Sequence, residues 1–468
     1  MVIPSRLEPL LREGTPLTDL ARRFGDAGHQ LYLVGGSVRD AITGRDRADG
    51  DDLDLATDAR PEEIKAIARQ WADDLYLVGE RFGTIGVVKD RQVLEITTFR
   101  SEVYRDDSRK PHVAFSDDLA EDLSRRDFTV NAMALRLPPG EAGQPELVDP
   151  FGGRHDLVDR VLRTPLAPEV SFGDDPLRML RMYRFVATLG FVPDAAAVDA
   201  ATRMHSRLTI VSAERIRDEL SKLLVGPNVG AALWGILETG LAGEFLPELP
   251  GLALEQDPVQ RHKDVLAHSI AVVEKTDPDL LLRLSALLHD IGKPRTRQID
   301  RDGVTFHHHE VVGARMARER LEALRYPKAV VADVTKLVFL HMRPHTYKMG
   351  WTDSAVRRYV RDAGPLLDRL NQLVRCDVTT RNQKRARAIS TRIDELEERI
   401  AALRKREALD ALRPPIDGNA VMAYLGLSPG PAVGEIMRML YEHRIEHGPY
   451  DETEAQVLLD QWKENRGA

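Results

Sequence analysis

The sequence predicts an α+β region over residues 1–153 and almost entirely helical regions from residue 154 onward. Short apolar runs of strand character recur between residues 31 and 98, some of them alternating with polar residues. A turn rich in Pro and Gly closes this part between residues 138 and 153. Beyond it the composition shifts toward Arg, Leu, Met and Ala. We divide the helical part into residues 154–250, 251–385 and 386–468.

Composition bounds the class of protein. The 468 residues suggest about three domains, and 43% hydrophobic with 30% charged residues is typical of a globular protein. Neither a long apolar window nor a secretory segment is present in the sequence, so we expect no membrane association. A single cysteine, Cys376, allows no internal disulfide and favours a cytoplasmic location.

The net charge of −8 argues against a general, non-specific nucleic-acid binder. A local exception runs over residues 381–406, where nine Lys or Arg residues face four Asp or Glu residues. This segment predicts a long helix with apolar positions that pack on the chain's own helices. Its basic face fits an RNA contact and a solvated surface equally well.

Periodicity predicts the order of elements in the first region. Leucines on an approximate helical period predict a leading helix over residues 1–30, before a strand at Leu31–Val34. A further helix and three strands are predicted at residues 61–71, 75–78, 84–88 and 93–98. A polar segment without periodicity over residues 101–116 predicts a mobile loop, and residues 118–135 read as a helix-like stretch.

A glycine turn follows the first strand. Gly35-Gly36 lets backbone N–H groups approach a ligand closely, and Ser37 with Asp40 offers side-chain acceptors that open a short helix. The helix start adds a partial positive charge, and Arg39 adds a planar guanidinium. The combination predicts an anion site suited to a triphosphate, although such a turn alone also fits a simple connection.

Acidic and apolar residues alternate from Asp52 to Leu55. Because a strand has a period of two, Asp52 and Asp54 should project from one face while the leucines pack behind. Two carboxylates on one face suit Mg²⁺, which prefers oxygen ligands, although a solvated acidic loop also fits the pattern. Glu95, in the strand at 93–98, is a third acidic candidate if its strand neighbours the Asp pair.

The glycine turn and the Asp pair, in this order and spacing, resemble the signature of the tRNA nucleotidyltransferase and poly(A) polymerase family. That family is a branch of the DNA polymerase beta superfamily. The resemblance implies a DNA polymerase beta-like nucleotidyltransferase head, with a helical neck after it. It also implies that Asp52 and Asp54 are catalytic and hold Mg²⁺, and that Gly35, Gly36 and Arg39 bind the nucleotide.

Two further motifs carry the resemblance. The sequence RRDFTVNA, from Arg125, matches a family motif that implies phosphate contact for Arg126 and ribose 2′-hydroxyl contact for Asp127. The second motif begins at Asp174. On a helix, its arginines Arg178, Arg181 and Arg184 would share one broad face. Asp175 lies three residues before Arg178, and an Asp beside an Arg supplies the acceptor and donors that reading a base edge requires. By the family's EDxxR motif, with Asp174 in place of Glu, the nucleotide-binding residues here are Asp175, Arg178, Arg181 and Arg184.

The third region carries His and Asp residues on apolar helical segments, which are the ligand types of a metal site in a helix bundle. Their order, with LLHDIGK intact, resembles the HD metal-dependent phosphohydrolase family. The resemblance implies a divalent metal held by His268, His289, Asp290 and Asp377. It also implies a second metal at His309 and His341, with His307 or His308 possible in place of His309.

The resemblance covers nearly the whole chain and implies a CCA-adding tRNA nucleotidyltransferase with an appended HD domain and a helical tail. Its implied partners are tRNA, CTP and ATP, and its HD domain is a candidate phosphohydrolase or an inactive domain. Poly(A) polymerase is one rival, which the segment at residues 79–85, GERFGTI, disfavours. Two more rivals are a CC-only or A-only enzyme and an HD phosphohydrolase with a non-catalytic RNA-binding head.

Overall fold

The structure is a computed structural model. It describes residues 7–45, 52–103, 112–140, 143–254, 264–300, 303–347, 351–378, 383–407 and 413–467. The chain divides into two compact units, Met1–Pro247 and Glu248–Ala468. The predicted fold class is confirmed, because a mixed sheet and its helices come first and nearly all later elements are helices. The finer boundaries at residues 153, 250 and 385 remain predictions.

Unit 1 contains eleven strands and eleven α-helices among the described residues. The strands are β1 Leu31–Val34, β2 Leu53–Thr57, β3 Asp74–Tyr76, β4 Thr84–Lys89, β5 Gln92–Thr98, β6 Arg100–Val103, β7 His112–Phe115, β8 Ala134–Arg136, β9 Glu146–Val148, β10 Val161–Leu162 and β11 Val192–Pro193. The helices are α1 Pro16–Asp26, α2 Gly36–Thr43, α3 Pro61–Ala68, α4 Leu119–Ser124, α5 Gly153–Asp159, α6 Pro168–Asp174, α7 Leu177–Leu189, α8 Ala195–Met204, α9 Ala213–Leu224, α10 Val229–Glu238 and α11 Leu241–Phe245.

Seven strands form one mixed sheet in the order β3-β4-β5-β2-β1-β8-β9. Strand β1 lies antiparallel to β2 and β8, whereas β2 lies parallel to β5. Leu53 and Leu55 of β2 are fully buried while Asp54 between them is exposed. The alternation of leucine and aspartate therefore places the acidic face of β2 toward the site and its apolar face in the core.

Among its described residues, unit 2 is helical apart from one hairpin. Its described helices are α12 Val265–Lys275, α13 Leu280–Leu288, α14 Lys293–Thr296, α15 His309–Ala323, α16 Lys328–Leu340, α17 Asp353–Ala363, α18 Leu367–Cys376, α19 Gln383–Glu407, α20 Gly418–Leu425, α21 Pro431–His447 and α22 Glu452–Gly467. The hairpin pairs β12 Arg297–Asp300 with β13 Gly303–Phe306.

The long helix predicted after residue 381 is confirmed as α19. Its buried residues Ile393, Leu396, Ile400 and Leu403 join one apolar cluster with residues of α16, α17 and α18. On its basic side, Arg399 and Arg406 both pair with Asp353. Part of the basic face therefore forms ion pairs within unit 2.

Several predicted elements were wrong in extent. The leading helix is shorter than predicted, since α1 covers only Pro16–Asp26 and residues 1–6 lie outside the described residues. Residues 100–103 and 112–115 form a paired hairpin instead of a loop, and the rest of that segment also lies outside the described part. The helix-like stretch at 118–135 yields α4, one 3-10 turn at Thr129–Asn131 and the start of β8.

None of the helices among the described residues is long and apolar enough to cross a bilayer. The cytoplasmic location inferred from the single cysteine stays a prediction.

Candidate nucleotide-binding cleft and metal centre

The glycine turn after β1 is the tightest point of the cleft in unit 1. Gly35 has φ +72°, which favours glycine, and it precedes α2 directly. A Cβ at Gly35 would lie 3.3 Å from Nη1 of Arg126 and 3.5 Å from Oδ2 of Asp54. The predicted Ser37 and Asp40 caps were wrong, because α2 begins at Gly36 without a side-chain cap. Asp54 and Arg126 therefore come close to Gly35, directly before the first backbone N–H groups of α2, which have no partner within the helix.

The predicted acidic residues lie together beside this turn. Asp52 immediately precedes β2, Asp54 lies within it, and both are exposed on either side of buried Leu53. In the parallel register of β2 and β5, Glu95 is the direct partner of Asp54. Burial, and then the negative charges of Asp54 and Asp52, raise the pKa of Glu95. The three carboxylates thus form one cluster of oxygen donors, the donor set that Mg²⁺ prefers.

Arg39 is held rigidly on α2. Its guanidinium is 9% exposed and donates to both carboxylate oxygens of Asp40, at 2.9 and 2.7 Å. It also donates to Asn131 Oδ1 at 2.6 Å and lies 5.4 Å from the centre of the Phe185 ring. These contacts fix the planar fork at the edge of the cleft, where a phosphate oxygen would be recognised.

The RRD motif lies directly after α4. Asp122 on α4 is buried and pairs with Arg125 at 2.6 Å and Arg126 at 3.3 Å. Asp127 accepts hydrogen bonds from Nδ2 of Asn131 at 2.9 Å and from Nη2 of Arg181 at 2.5 Å. Burial alone would raise the pKa of Asp127, but Arg181 and Asn131 outweigh it and hold that pKa well below its ordinary value. Asp127 is therefore an ionised anchor for α7.

The predicted base-reading pair stands at the start of α7. Asp175 accepts from the backbone N–H of Leu177 at 3.1 Å and from Nη2 of Arg215 at 2.6 Å. The buried Arg178 donates to Ser171 Oγ at 2.9 Å and to the carbonyl oxygen of Arg125. Both side chains line the cleft, and both have partners in this structure.

Glu219 on α9 joins the next two arginines of α7. Glu219 is buried, and its carboxylate accepts a hydrogen bond from Arg181 at 3.1 Å and forms an ion pair with Arg184 at 2.7 Å. Burial lowers the pKa of Arg184 to about 10. The negative charge of Glu219 opposes this shift, whereas the positive charges of Arg181 and Arg39 add to it. Arg184 thus stays charged near neutral pH, close to Arg39.

The C-terminal end of α7 is capped from the α2 segment. Arg45, just after Gly44 at the end of α2, donates to the carbonyl oxygens of Thr188 at 3.1 Å and Leu189 at 3.4 Å. The preceding carbonyl oxygens, of Val186 and Ala187, accept from the N–H groups of Gly190 and Asn228. All four terminal carbonyl groups of α7 are therefore satisfied.

These residues line one open cleft of about 470 Å³. Its lining brings together all the sequence-predicted nucleotide-binding residues and Asp54. Sequence reasoning missed four lining residues, namely Asn131, Phe185, Arg215 and Lys222. Arg215, Glu219 and Lys222 lie on α9 at spacings of four and three residues, which place them on one face of that helix. This spacing in the sequence could have indicated a shared polar face.

The HD residues of unit 2 form two adjacent groups that fit metal ions. The first is His268, His289 and Asp377, and the second is Asp290, His309 and His341, each with donor atoms within 4.8 Å of one another. The Asp290 carboxylate faces both groups, since Oδ2 lies 3.2 Å from Nε2 of His289 and Oδ1 lies 3.4 Å from Nε2 of His309. Asp290 therefore lies where one carboxylate can bridge two ions.

Backbone carbonyl groups orient the buried imidazoles. Nδ1 of His289, His309 and His341 lies 2.8, 2.9 and 2.6 Å from the carbonyl oxygens of Ala286, Phe306 and Val338, respectively. These contacts leave each Nε2 directed toward the group, as metal-ligating histidines require. Of the three consecutive histidines, the buried His309 joins the group, whereas His307 and His308 are exposed.

The protonation of the histidines in the two ligand groups is consistent with cation binding. Burial lowers the pKa of His341 to about 3, so this ring is neutral and its Nε2 can coordinate. Burial also disfavours charge on His289, but Asp290 and Asp377 outweigh that effect and raise its pKa to about 10. A metal ion would replace the proton on His289, because a coordinating nitrogen must be deprotonated.

Comparison with protein families divides the chain in the same order as the motifs. Residues 31–163 match the model described as Poly A polymerase head domain. Residues 190–252 match the one described as probable RNA and SrmB-binding site of polymerase A, and residues 265–397 match the HD domain.

Comparison with characterised proteins extends the match over the chain. An A-adding tRNA nucleotidyltransferase from Deinococcus radiodurans is 36% identical over 452 residues, which cover 92% of this chain and 95% of that protein. A CCA-adding enzyme from Bacillus licheniformis is 42% identical over 247 residues, or 53% of this chain. For that relative the chain spans only 57% of its length.

Solved structures share the fold over the full length. The CCA-adding enzyme of Bacillus stearothermophilus, in complex with CTP, has 27% identity and a TM-score of 0.65, with 96% of this chain and 97% of that one covered. The Thermotoga maritima CCA-adding enzyme complexed with tRNA has 17% identity and a TM-score of 0.60, which shows the fold alone. On the full-length Deinococcus match and the head model, this chain belongs to the tRNA nucleotidyltransferase and poly(A) polymerase family of enzymes, and it carries an HD domain.

Proposed function

We propose that this chain adds CCA to the 3′ end of tRNA, transferring CMP and AMP from CTP and ATP without a nucleic-acid template. The observation that carries the proposal is the convergence of Gly35, Asp54 and Arg126 at the start of α2, opposite the Asp175 and Arg178 pair. The names of the Bacillus relatives, which are CCA-adding enzymes, and the CTP bound to one of them support it.

The reaction is an in-line displacement. The tRNA 3′-hydroxyl oxygen attacks the α-phosphate and loses its proton, a new phosphodiester bond forms, and the bond to the β-phosphate breaks to release pyrophosphate. Mg²⁺, bound by Asp52 and Asp54, would activate the hydroxyl and neutralise charge on the leaving group. We propose that Arg39, Arg126 and the N–H groups of α2 hold the triphosphate.

Base selection is assigned to α7 in this proposal. Asp175 supplies a carboxylate acceptor and Arg178 supplies guanidinium donors. Cytosine and adenine both present an amino group that donates and a ring nitrogen that accepts, so the pair matches the hydrogen-bonding edge of either base. Asp127 would orient Arg181 and receive the ribose hydroxyl. Arg184 and Arg181 would hold α7 and contribute positive charge near the triphosphate.

The test is incorporation of labelled CMP and AMP into tRNA transcripts that lack CCA or end in CC. The Asp54→Ala variant should lose incorporation by roughly a thousandfold, because the metal-binding carboxylate supplies several kcal/mol to the transition state. Asp58→Ala serves as the control, since Asp58 lies just beyond β2. Normal incorporation by Asp54→Ala would assign the head a binding role only.

A-only addition is the second candidate for the head. The observation in its favour is that the Deinococcus relative, which matches over 92% of this chain, is named an A-adding enzyme. Extension of a transcript lacking CCA by CTP alone supports CCA addition. Incorporation of AMP only, and only into the transcript ending in CC, would support the A-only activity instead.

For unit 2 we propose a divalent metal centre with phosphohydrolase activity, based on the two adjacent ligand groups. A divalent ion would supply a water nucleophile near neutral pH, and His268, His289, Asp377, Asp290, His309 and His341 would hold it. Metal analysis of the purified protein and hydrolysis of bis-p-nitrophenyl phosphate with added Mn²⁺, Co²⁺ or Mg²⁺ test this. Metal uptake without hydrolysis would indicate a structural site.

A further inference from the structure

Among the described residues, one cation of the cleft has no anionic or carbonyl partner. The arginines that line the cleft all have partners in unit 1. Five donate hydrogen bonds: Arg39 to Asp40, Arg126 to Asp122, Arg178 to Ser171, Arg181 to Asp127 and Arg215 to Asp175. The sixth, Arg184, forms an ion pair with Glu219. Lys222 also lines the cleft, and within the described part of the chain it has no hydrogen bond or ion pair. Its ammonium group is therefore available to a ligand.

The contacts of α9 place Lys222 along the cleft. Arg215 of α9 contacts Asp175, just before α7, whereas Glu219 one turn later contacts Arg181 and Arg184. The two helices therefore run side by side in the same direction. Lys222 continues the same face, three residues beyond Glu219, and so lies toward the end of the cleft that holds Arg184.

That end of the cleft is the phosphate end. Arg184 stacks on the Phe185 ring at 3.8 Å, and Arg39 lies over the same ring at 5.4 Å. Arg39 belongs to α2, whose N-terminus follows Gly35 and faces Arg126. Lys222 is thus on the side of the cleft where the backbone N–H groups and arginines favour a polyanion.

We propose that Lys222 binds the terminal phosphates of the nucleotide and the pyrophosphate that leaves. This inference rests on the proposed nucleotidyl transfer and adds a residue of the neck to the phosphate site. Because α9 also positions α7 through Glu219, phosphate binding by Lys222 would join the leaving group to the element that reads the base. A lysine suits this role, since its flexible ammonium can follow the pyrophosphate as it departs.

The test measures KM for CTP, ATP and pyrophosphate separately from KM for tRNA, using forward incorporation and pyrophosphorolysis of transcripts that end in CCA by the full chain. For Lys222→Ala we expect KM for nucleotide and pyrophosphate to rise roughly three- to thirtyfold, as for loss of one charge-assisted phosphate contact. KM for tRNA should stay within about twofold, and Lys222→Arg should recover most of the loss, because it keeps the charge.

Arg217→Ala is the matched control, because Arg217 lies on the same helix and pairs with Asp218. Unchanged nucleotide and pyrophosphate KM in Lys222→Ala, with normal wild-type activity, would overturn the proposal. A rise confined to KM for tRNA would also overturn it and assign Lys222 to the RNA. If the wild type incorporates nothing, the proposed function fails, and this outcome is distinct from a failure of the lysine assignment.

Discussion

Asp127 shows how one buried carboxylate organises the cleft. It accepts hydrogen bonds from Asn131 and Arg181, and Asn131 in turn accepts from Arg39. Through Asn131, this single carboxylate therefore connects α2, the proposed phosphate-binding helix, with α7, the proposed base-reading helix. Sequence reasoning predicted Asp127 as a ribose contact but not its pairing with Arg181, because that contact joins residues 54 positions apart.

Asp127→Asn should destabilise unit 1 by about 2 kcal/mol at neutral pH, because it leaves Arg181 with one acidic partner fewer. That corresponds to a loss of roughly 4–8 °C in Tm. The folded-state pKa of Asp127 lies below its ordinary 3.8, so its stabilisation is present above pH 3.8 and is lost as pH falls further.

Thermal unfolding of wild type and Asp127→Asn between pH 3 and pH 8 measures this dependence. The gap in Tm should be constant from pH 8 to about pH 5 and narrow in more acidic buffer. Asp218→Asn is the control, since Asp218 is exposed on α9. A gap that widens toward acid would contradict the assignment of Asp127 as an ionised anchor.

Glu95 provides a second test at this scale. It is the β5 partner of Asp54, and burial with the neighbouring carboxylates raises its pKa. If it is a third oxygen ligand, Glu95→Gln should raise the Mg²⁺ concentration needed for half-maximal incorporation roughly tenfold, because one charged ligand is lost. Magnesium titration of the reaction checks this, and an unchanged midpoint would leave Glu95 outside the site.

At the scale of elements, strands and helices were easier to predict than caps and connections. The alternation in Asp52-Leu53-Asp54-Leu55 predicted β2 correctly, since one face is buried and the other is exposed. The start of α2 was predicted wrongly, because Gly35 with φ +72° opens the helix without any side-chain cap. Local residue types could not indicate that Arg45 would cap α7, a contact between distant segments.

The cap at the end of α7 gives a prediction for this element. Arg45→Ala removes a positive charge and two hydrogen bonds from the negative end of the helix dipole, a loss of about 1 kcal/mol. We expect a lower Tm and a KM for nucleotide raised roughly two- to fivefold, because α7 carries the base-reading pair. Steady-state kinetics and thermal unfolding measure both.

Arg45→Lys should keep most of both properties, since lysine can also donate to helix carbonyl groups. Arg203→Ala is the control, because Arg203 is an exposed arginine of α8 that pairs with Glu169. Equal losses in Arg45→Ala and Arg203→Ala would show that the effect is not specific to the cap of α7.

For the whole molecule, the motifs predicted the class of each region but not every ligand. The order of head, neck and HD regions was read correctly, because each motif consists of residues that are close together in the sequence. His309 could not be chosen from three consecutive histidines by sequence alone. In the folded unit, His309 is the buried one of the three, and its Nδ1 contacts the carbonyl oxygen of Phe306, so it is the candidate metal ligand.

We expect the nucleotide cleft of unit 1 to keep its activity when the metal centre of unit 2 is lost. Asp290→Ala removes the carboxylate that faces both ligand groups of unit 2, while the nucleotide cleft is built from unit 1 alone. We expect Asp290→Ala to lose bound divalent metal and phosphodiester hydrolysis but to keep incorporation within about twofold. Metal analysis and both assays on one preparation provide the measurement.

Glu274→Ala is the matched control, because Glu274 is an exposed residue of α12 outside both ligand groups. Loss of incorporation in Asp290→Ala, with normal thermal unfolding, would show that the metal centre supports the head. Retention of metal in that variant would contradict the ligand assignment.

The pairing of Asp175 with Arg215 has a consequence for fidelity. The Asp175 carboxylate already has a partner in this structure, so in the proposed base recognition an arriving nucleobase would compete with the Arg215 guanidinium. Because Arg215 is more than half exposed, that internal contact is worth about 1 kcal/mol or less. On the proposed role of Asp175, a base with complementary donors would replace Arg215 at this carboxylate, whereas a base without them would not. Rejection of wrong nucleotides would then begin before any chemistry, as a failed exchange of partners.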